Sequence, residues 1–260
     1  MVIEHDLHTH TTYSDGYDMR EMADAAAEAG LSGIGFTDHC LPYEDPFGRR
    51  RMYDLEETYA ERRSDIDEVR ATTDVEIYDA VELNYDPNRE SEIRSFLDEA
   101  AFDYAIGSVH YADEYYVMEN EDFVDRSETA KRTAIETYVD WQVRLIESDL
   151  FDSIAHVDVT QRRPSLRGVM NDGDYRRIAE ALVDSDTVLE INAGRLDRPY
   201  ATVHPHPDFL SIFGDYDVPL VAGTDAHAPD QVRRRTQLLS SFAEKMDLQF
   251  VGTESVLSCE

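Results

Sequence analysis

Seven short apolar runs, each followed by a longer amphipathic stretch, constrain this chain more than any other feature of it. The runs are Val2–His8, Gly33–Thr37, Val75–Glu82, Tyr104–Val109, Ser153–His156, Val188–Asn192 and Pro219–Gly223. Runs this short, bounded by turn residues, suit strands. The stretches between them predict helices over Met19–Ala29, Leu55–Arg70, Arg89–Ala100, Thr129–Ser148, Asp174–Asp184, His206–Phe213 and Pro229–Glu244. In the first helix Asp18 and Glu21 are spaced for a capping box, Met19, Met22, Ala23 and Ala26 form one apolar stripe, and Gly30 suits the left-handed cap. Ala134, Tyr138, Trp141 and Leu145 repeat the stripe in the fourth. Alternating strands and helices predict a parallel sheet wrapped by helices. The 260 residues match one barrel of that kind, which runs to about 250. With no repeat, low-complexity tract or linker in it, the chain is expected to be one domain over residues 1–260. The stretches Cys40–Asp54 and Tyr111–Glu128 follow strands, where a barrel carries its functional loops. The tail after Leu248 is compatible with one more strand or an irregular end.

Composition narrows the setting. Lys and Arg number 24 against 56 Asp and Glu, a formal charge of −32, yet 42% of residues are hydrophobic, enough for a sizeable core. Lys131 and Lys245 are the lysines; the other basic residues are arginines. An acidic, lysine-poor surface is expected of a protein in molar salt, where the Debye length falls to about 3 Å and self-repulsion is screened. Because every protein of such an organism is acidic, the charge by itself does not exclude a nucleic-acid partner. Cys40 and Cys259 form no C-x-x-C pair and read as thiols in a reducing compartment. No apolar run reaches the ~18 residues of a membrane span, and the N-terminus lacks the pattern of a signal peptide, so a cytoplasmic protein is expected.

The histidines carry the chemistry. Of nine, six stand at or just beyond a predicted strand end: His8 and His10, His39, His110, His156 and His227. Asp15, Glu82 and Asp225 share those positions. Each alone has a bland reading, since a histidine beside a strand is more often a satisfied polar residue and a carboxylate there is as often a helix cap. Nine such residues on the face where barrels place their active sites argue for metal. His8 and His10 point the same way because side chains on a strand alternate with period two. Imidazole and carboxylate without thiolate suit Zn²⁺, Mn²⁺ or Fe²⁺, and nine ligands fit two or three ions. His204 and His206, a second H-x-H in a Pro-rich loop, read as rim or cap residues. His5, of opposite parity to His8, should point away from the barrel axis, and Cys40 reads as packing.

The set His8-Thr9-His10, Ser14-Asp15-Gly16, Thr37-Asp38-His39, Glu82, Gly107-Ser108-Val109-His110, His156 and Gly223-Thr224-Asp225-Ala226-His227 closely resembles the polymerase and histidinol phosphatase (PHP) family. The likeness runs from about residue 3 to residue 245, in order, and Asp38-His39-Cys40, Glu82-Leu83-Asn84-Tyr85 and Tyr104–His110 resemble its histidinol-phosphatase branch. The resemblance implies a distorted TIM-like (β/α)7 barrel with a trinuclear centre. One ion would take His8, His10, Glu82 and Asp225, a second Glu82, His110 and His156, and a third Asp15, His39 and His227. It implies a phosphomonoesterase acting on L-histidinol phosphate in histidine biosynthesis, in which a metal-activated hydroxide attacks phosphorus. Asp225, Glu82 and His227 would then be catalytic. Phosphate-binding arginines after the fifth and sixth strands correspond to Arg162 or Arg163 and Arg195 or Arg198, the segment Asn192-Ala193-Gly194-Arg195 being shorter than the family's usual pattern. Three divalent ions against three carboxylates would leave a locally positive site able to welcome a phosphate dianion.

Three other readings compete. An amidohydrolase-type hydrolase also opens with H-x-H on a strand, but its bridging carbamylated lysine has no counterpart, as neither Lys131 nor Lys245 sits at a strand end. A phosphoesterase of the same family acting on nucleotides or oligonucleotides would need a basic or aromatic groove. Tyr111–Tyr116 supplies aromatics, yet Asp113, Glu114, Glu119, Glu121 and Asp122 make that loop acidic, which makes nucleic acid an unexpected partner and favours a small cationic phosphomonoester. A degenerate, non-enzymatic barrel would have lost ligands, and none of the nine is missing.

Overall fold

In the first βα unit local sequence sets the architecture directly. Strand β1 (His5–Thr9) leads into helix α1 (Met19–Ala29), where the Asp18 side chain accepts from the Glu21 amide at 3.1 Å and the chain leaves through Gly30 at φ +78°. Met19, Met22, Ala23 and Ala26 are all buried. The computed structural model describes residues 3–43, 55–113 and 115–257, the side chains at 56 and 57 aside. The pattern continues with β2 (Gly33–Cys40), α2 (Leu55–Arg70), β3 (Glu76–Asn84), α3 (Glu90–Ala100) and β4 (Tyr104–Ser108). A hairpin, β5 (Tyr111–Ala112) and β6 (Tyr115–Tyr116), and a short α4 (Glu121–Val124) precede α5 (Glu128–Glu147). Then come β7 (Ser153–Ile154), α6 (Asp172–Val183), β8 (Val188–Asn192), α7 (Leu210–Asp215), β9 (Leu220–Gly223) and α8 (Pro229–Met246).

Seven strands form one parallel sheet in the order β1-β2-β3-β4-β7-β8-β9. Its ends meet: the Asp225 amide donates to the His8 carbonyl at 2.8 Å and the His10 amide to the Ala226 carbonyl at 2.9 Å. The result is the nearly closed, distorted seven-stranded barrel that the sequence predicts. Apolar packing lies in two places. Outward strand residues such as Phe36 and Val81 pack with helix residues such as Met22, Val232, Ile93 and Tyr138. Inside the barrel a smaller cluster of Leu7, Tyr78, Ala80, Tyr104, Val188 and Val221 fills the lower half and leaves the upper half to polar side chains. The tail closes the floor: the Val251 amide bonds the Leu220 carbonyl at 2.9 Å, a 3-10 turn spans Thr253–Ser255, and Val256 is buried in the inner cluster.

Several boundaries differ from expectation for local reasons. The register of β1 against β2 shifts between Asp6 and Thr9. Such a bulge re-aims the side chains on either side of it. His5 therefore faces inward, its Nδ1 3.1 Å from the hydroxyl of Tyr78, and does not point away from the axis. Strand β7 stops at Ile154 because His156 turns to φ +26° and the chain enters a 3-10 turn over Val159–Arg162. Helix α6 starts at Asp172, two residues early, since Asn171 and Asp174 form a full capping box. In place of a helix over His206–Phe213, a 3-10 turn at Pro207–Phe209, capped by the His206 side chain, precedes α7. Cys40 is buried at the end of β2. Cys259 lies outside the described residues, as do residues 44–54 of the Cys40–Asp54 stretch.

Candidate metal centre

Each ligand candidate is delivered by a strand end. His8 and His10 leave β1 with ring centroids 5.1 Å apart. A tight turn follows, in which the amides of Ser14 and Gly16 both donate to the Thr11 carbonyl, and it carries Asp15. Gly16 is required there, because a Cβ would overlap the main chain of His10 and Thr11. On β2 the neighbours Asp38 and His39 face opposite ways. Asp38 accepts from the Thr11 amide at 2.6 Å, the Thr11 hydroxyl at 2.7 Å and the Ser14 hydroxyl at 2.8 Å, which fixes the turn. Behind it the fully buried Arg62 of α2 donates to Asp38 at 2.7 Å, to the carbonyls of Phe36 and Ala80, and to Asp79.

Glu82 of β3 is the hub. Its carboxylate lies 2.7 Å from His39 Nδ1, 3.1 Å from His156 Nε2, 3.4 Å from His8 Nε2, 3.5 Å from His110 Nε2 and 3.7 Å from His10 Nε2. Asp15 Oδ1 lies 3.3 Å from His227 Nε2 and 3.6 Å from His39 Nε2; Asp225 Oδ1 lies 3.5 Å from His10 Nε2 and 3.6 Å from His227 Nδ1. Asp225 and His156 hold positive φ, +52° and +26°, a costly conformation for such residues that collects at functional sites. All nine predicted ligands are thus brought to one cluster. Within it, three groups have ligand atoms within 4.8 Å of one another: His10, Asp15, His39 and His227; His8, His10 and Glu82; and Glu82, His110 and His156. Compared with the expected partition, His10 also reaches the third set, and Asp225, expected with His8, His10 and Glu82, falls in none of the three groups.

The donor chemistry fits divalent cations. His8 Nε2 and both ring nitrogens of His10 are buried without a hydrogen-bond partner, at a cost of about 1–3 kcal/mol for each such atom. Burial, helped by neighbouring imidazoles, brings His10 down to about 3; burial also brings His110 to about 3. Burial opposes ionisation of Glu82, but the charges of His39 and His8 outweigh it and hold the carboxyl well below its ordinary range, and Asp225 is held low likewise by the imidazoles around it. Ionised carboxylates and neutral imidazoles are the forms that bind metal. Burial lowers His8 and His39, but Glu190 and Glu82 push His8 up and Glu82 pushes His39 up to about 9, so both would release their protons as ions enter.

A supporting layer escaped the sequence reading. Glu190 of β8 is buried and takes His8 Nδ1 at 2.7 Å on one oxygen and the His156 amide at 2.9 Å on the other, while Asn192 donates to both. Gly223 opposite leaves room for it; a Cβ would overlap the Glu190 carboxylate. Arg235 of α8 donates to the carbonyls of Asp225 at 2.7 Å and Thr224 at 3.2 Å and pairs with Asp197. Asp6 accepts from the Thr224 amide at 2.9 Å and from its hydroxyl, tying β1 to the end of β9.

Beside the cluster runs a pocket lined by Cys40, Leu41, Asn84, Tyr111, Tyr116 and Met118. Arg162, Arg163 and Arg195 are partly buried, each with its Nε buried and unpartnered. Burial, then the charges of Arg195 and Arg163, pull Arg162 down to about 9. Arg198 stands apart, exposed, 3.8 Å from Asp197. His206 is the cap that the sequence suggests, whereas His204 is buried against Asp158.

Comparison with known proteins places this geometry. Residues 6–194 match the PHP domain. A relative from Deinococcus radiodurans named probable histidinol-phosphatase is 33% identical over 221 residues, 82% of this chain and 81% of its own. The histidinol-phosphatase of Lactococcus lactis subsp. lactis is 28% identical, over 85% of this chain and 83% of its own. The crystal structure of histidinol phosphate phosphatase from that organism, in complex with zinc, L-histidinol and phosphate, superposes with a TM-score of 0.79 at 22% identity, covering 99% and 98% of the two chains.

Proposed function

The chain belongs to the PHP domain family, and from that premise we propose that it is a metal-dependent phosphomonoesterase that hydrolyses L-histidinol phosphate to L-histidinol and phosphate in histidine biosynthesis. The observation that carries the reading is the Glu82 hub, with five imidazoles within 3.7 Å and unpartnered nitrogens on His8 and His10. His8, His10, Asp15, His39, Glu82, His110, His156, Asp225 and His227 would hold two or three divalent ions, Zn²⁺, Mn²⁺ or Fe²⁺, and the three groups of ligand atoms favour three. Ions bound there supply Lewis-acid polarisation of phosphoryl oxygens and a lowered pKa for water.

The chain's own groups do the rest. Arg162 and Arg195, both partly buried, would meet the phosphate oxygens as forks. Crowded guanidiniums repel one another until an anion enters. Asp225, held as a carboxylate, would take the proton that the attacking water gives up and return it to the leaving oxygen. Glu190 and Arg235 hold His8 and Asp225 in place. Glu119, Glu121 and the tyrosines of the β5–β6 hairpin suit a cationic, amine-bearing leaving group more than a nucleic-acid backbone. The same proposal includes a saline, cytosolic setting, supported by the charge of −32 and the two lysines. No helix among the described residues is long and apolar enough to cross a membrane.

A substrate panel in molar KCl with added Mn²⁺, Zn²⁺ or Fe²⁺ tests the reading. Histidinol phosphate should exceed AMP, bis-phosphorylated nucleotides and a model diester by roughly a hundredfold or more in kcat/KM. Comparable rates on nucleotides would transfer the activity to the other branch of the family. His110→Ala and Glu82→Ala should each lose both ions and turnover in metal analysis and assay; an active, fully loaded variant would mean the centre lies elsewhere.

A further inference from the structure

His204 belongs to none of the ligand groups, yet the fold invests heavily in placing it. Its amide and carbonyl pair with those of Asn192 at 3.0 and 2.8 Å, an antiparallel bridge at the mouth of the barrel beside the end of β8. Opposed residues of such a bridge share a face. Asn192 reaches Glu190 inside the barrel, so His204 lies on the inner face too. The Tyr200 ring stacks on the imidazole at 5.1 Å and 14°.

Asp158 fixes which nitrogen is which. Its Oδ1 lies 2.6 Å from His204 Nδ1, and its Oδ2 accepts from the Tyr175 hydroxyl at 2.9 Å and the His206 amide at 2.7 Å. Every partner of this buried carboxylate donates, so Nδ1 carries the ring proton and Nε2 is left with a lone pair. Nε2 is buried and unpartnered. A complementary orphan lies on the turn that Asp158 opens: Asp158 and Arg162 bracket one 3-10 turn, and the Nε–H of Arg162 is also buried without a partner. Burial lowers the His204 pKa, Asp158 opposes this, and the charge of Arg162 adds to the lowering. Arg162 meanwhile donates through Nη2 to Met118 Sδ at 3.2 Å, and thioether sulfur is a weak acceptor.

We infer that Asp158 and His204 form a buried positioning pair for Arg162, with His204 Nε2 accepting the Arg162 Nε–H when the guanidinium leaves Met118 to hold a phosphate. This rests on the phosphomonoesterase reading. His204 is a positioning residue: it would act through Arg162 and meet neither phosphate nor the reacting atoms.

Two substitutions separate this role from a merely structural one. In His204→Gln the amide oxygen can stand where Nε2 stood, while the link to Asp158 is lost; in His204→Asn the Asp158 link can persist and the acceptor is gone. With metal-loaded protein and inorganic phosphate as inhibitor and thermal-shift ligand, H204N should raise the Ki for phosphate and the KM about tenfold or more, with a smaller change in kcat. H204Q should stay within about threefold of the parent. Asp158→Asn, which removes the charge that fixes the tautomer without opening a cavity, should behave as H204N does and carries the test if that variant does not fold. Parental phosphate affinity in H204N or D158N, or H204Q impaired as much as H204N, would overturn the inference alone. Parent protein indifferent to phosphate would overturn the phosphomonoesterase reading and this inference with it.

Discussion

Glu190 holds His8 by the nitrogen that does not face Glu82, so it sets which tautomer His8 presents to the cluster. Glu190→Gln keeps the shape and removes the charge. It should weaken metal retention about 10–100-fold, read as ions per chain after dialysis against a graded chelator series, with the far-UV spectrum unchanged. Parental retention would leave His8 needing no such partner. Glu190 shows why ligands are easier to read from a sequence than what supports them. His8, His39 or Asp225 stands at the end of an apolar run, where a polar residue calls for a reason. Glu190 sits inside the run Val188–Asn192, and its burial makes sense only through His8, 182 positions away, and His156, 34 away. The arginines fall between these cases. Both candidates after β8 were visible, and burial separates them, Arg195 being drawn in and Arg198 left outside.

Between elements, the link that matters most runs from α2 to the turn bearing Asp15. Arg62 is buried on α2 and satisfies two carboxylates and two carbonyls at once, and Asp38 passes that order to Thr11 and Ser14. Arg62→Ala would leave Asp38 and Asp79 buried without their main countercharge. It should cost about 3–5 kcal/mol in urea unfolding and loosen the Asp15 turn. A loss near zero would mean that Arg63, which also bonds Asp79, substitutes for it. Helix and strand order was legible here because periodicity is local. The bulge in β1 was not: His5-Asp6-Leu7-His8 reads as simple alternation, and the shift appears only in the pairing with β2. Likewise β7 ends early because of a backbone turn at His156 that no residue type announces.

For the whole molecule, the charge of −32 and the centre are separate matters. Asp15, Glu82 and Asp225 serve the cluster, and the remaining acid lies mostly elsewhere. Lowering salt from molar to ~0.01 M lengthens the screening distance from about 3 to about 30 Å and restores self-repulsion across the molecule. The melting temperature should fall steeply along such a series and recover when salt is returned; a flat series would detach the acidic composition from habitat. The seam of the barrel has a different consequence. Its two ends meet through His8 and His10 on one side and Asp225 and Ala226 on the other, so ligands from the first and last parts of the chain sit at the join. A nascent chain cut short before residue 225 would carry seven of the nine ligand candidates and would lack the two main-chain bonds, from Asp225 to His8 and from His10 to Ala226, that close the seam. An ion held jointly by His10 and Asp225 would therefore be available only to a chain whose synthesis has run past the ninth strand, which would couple metal loading to completion of the fold.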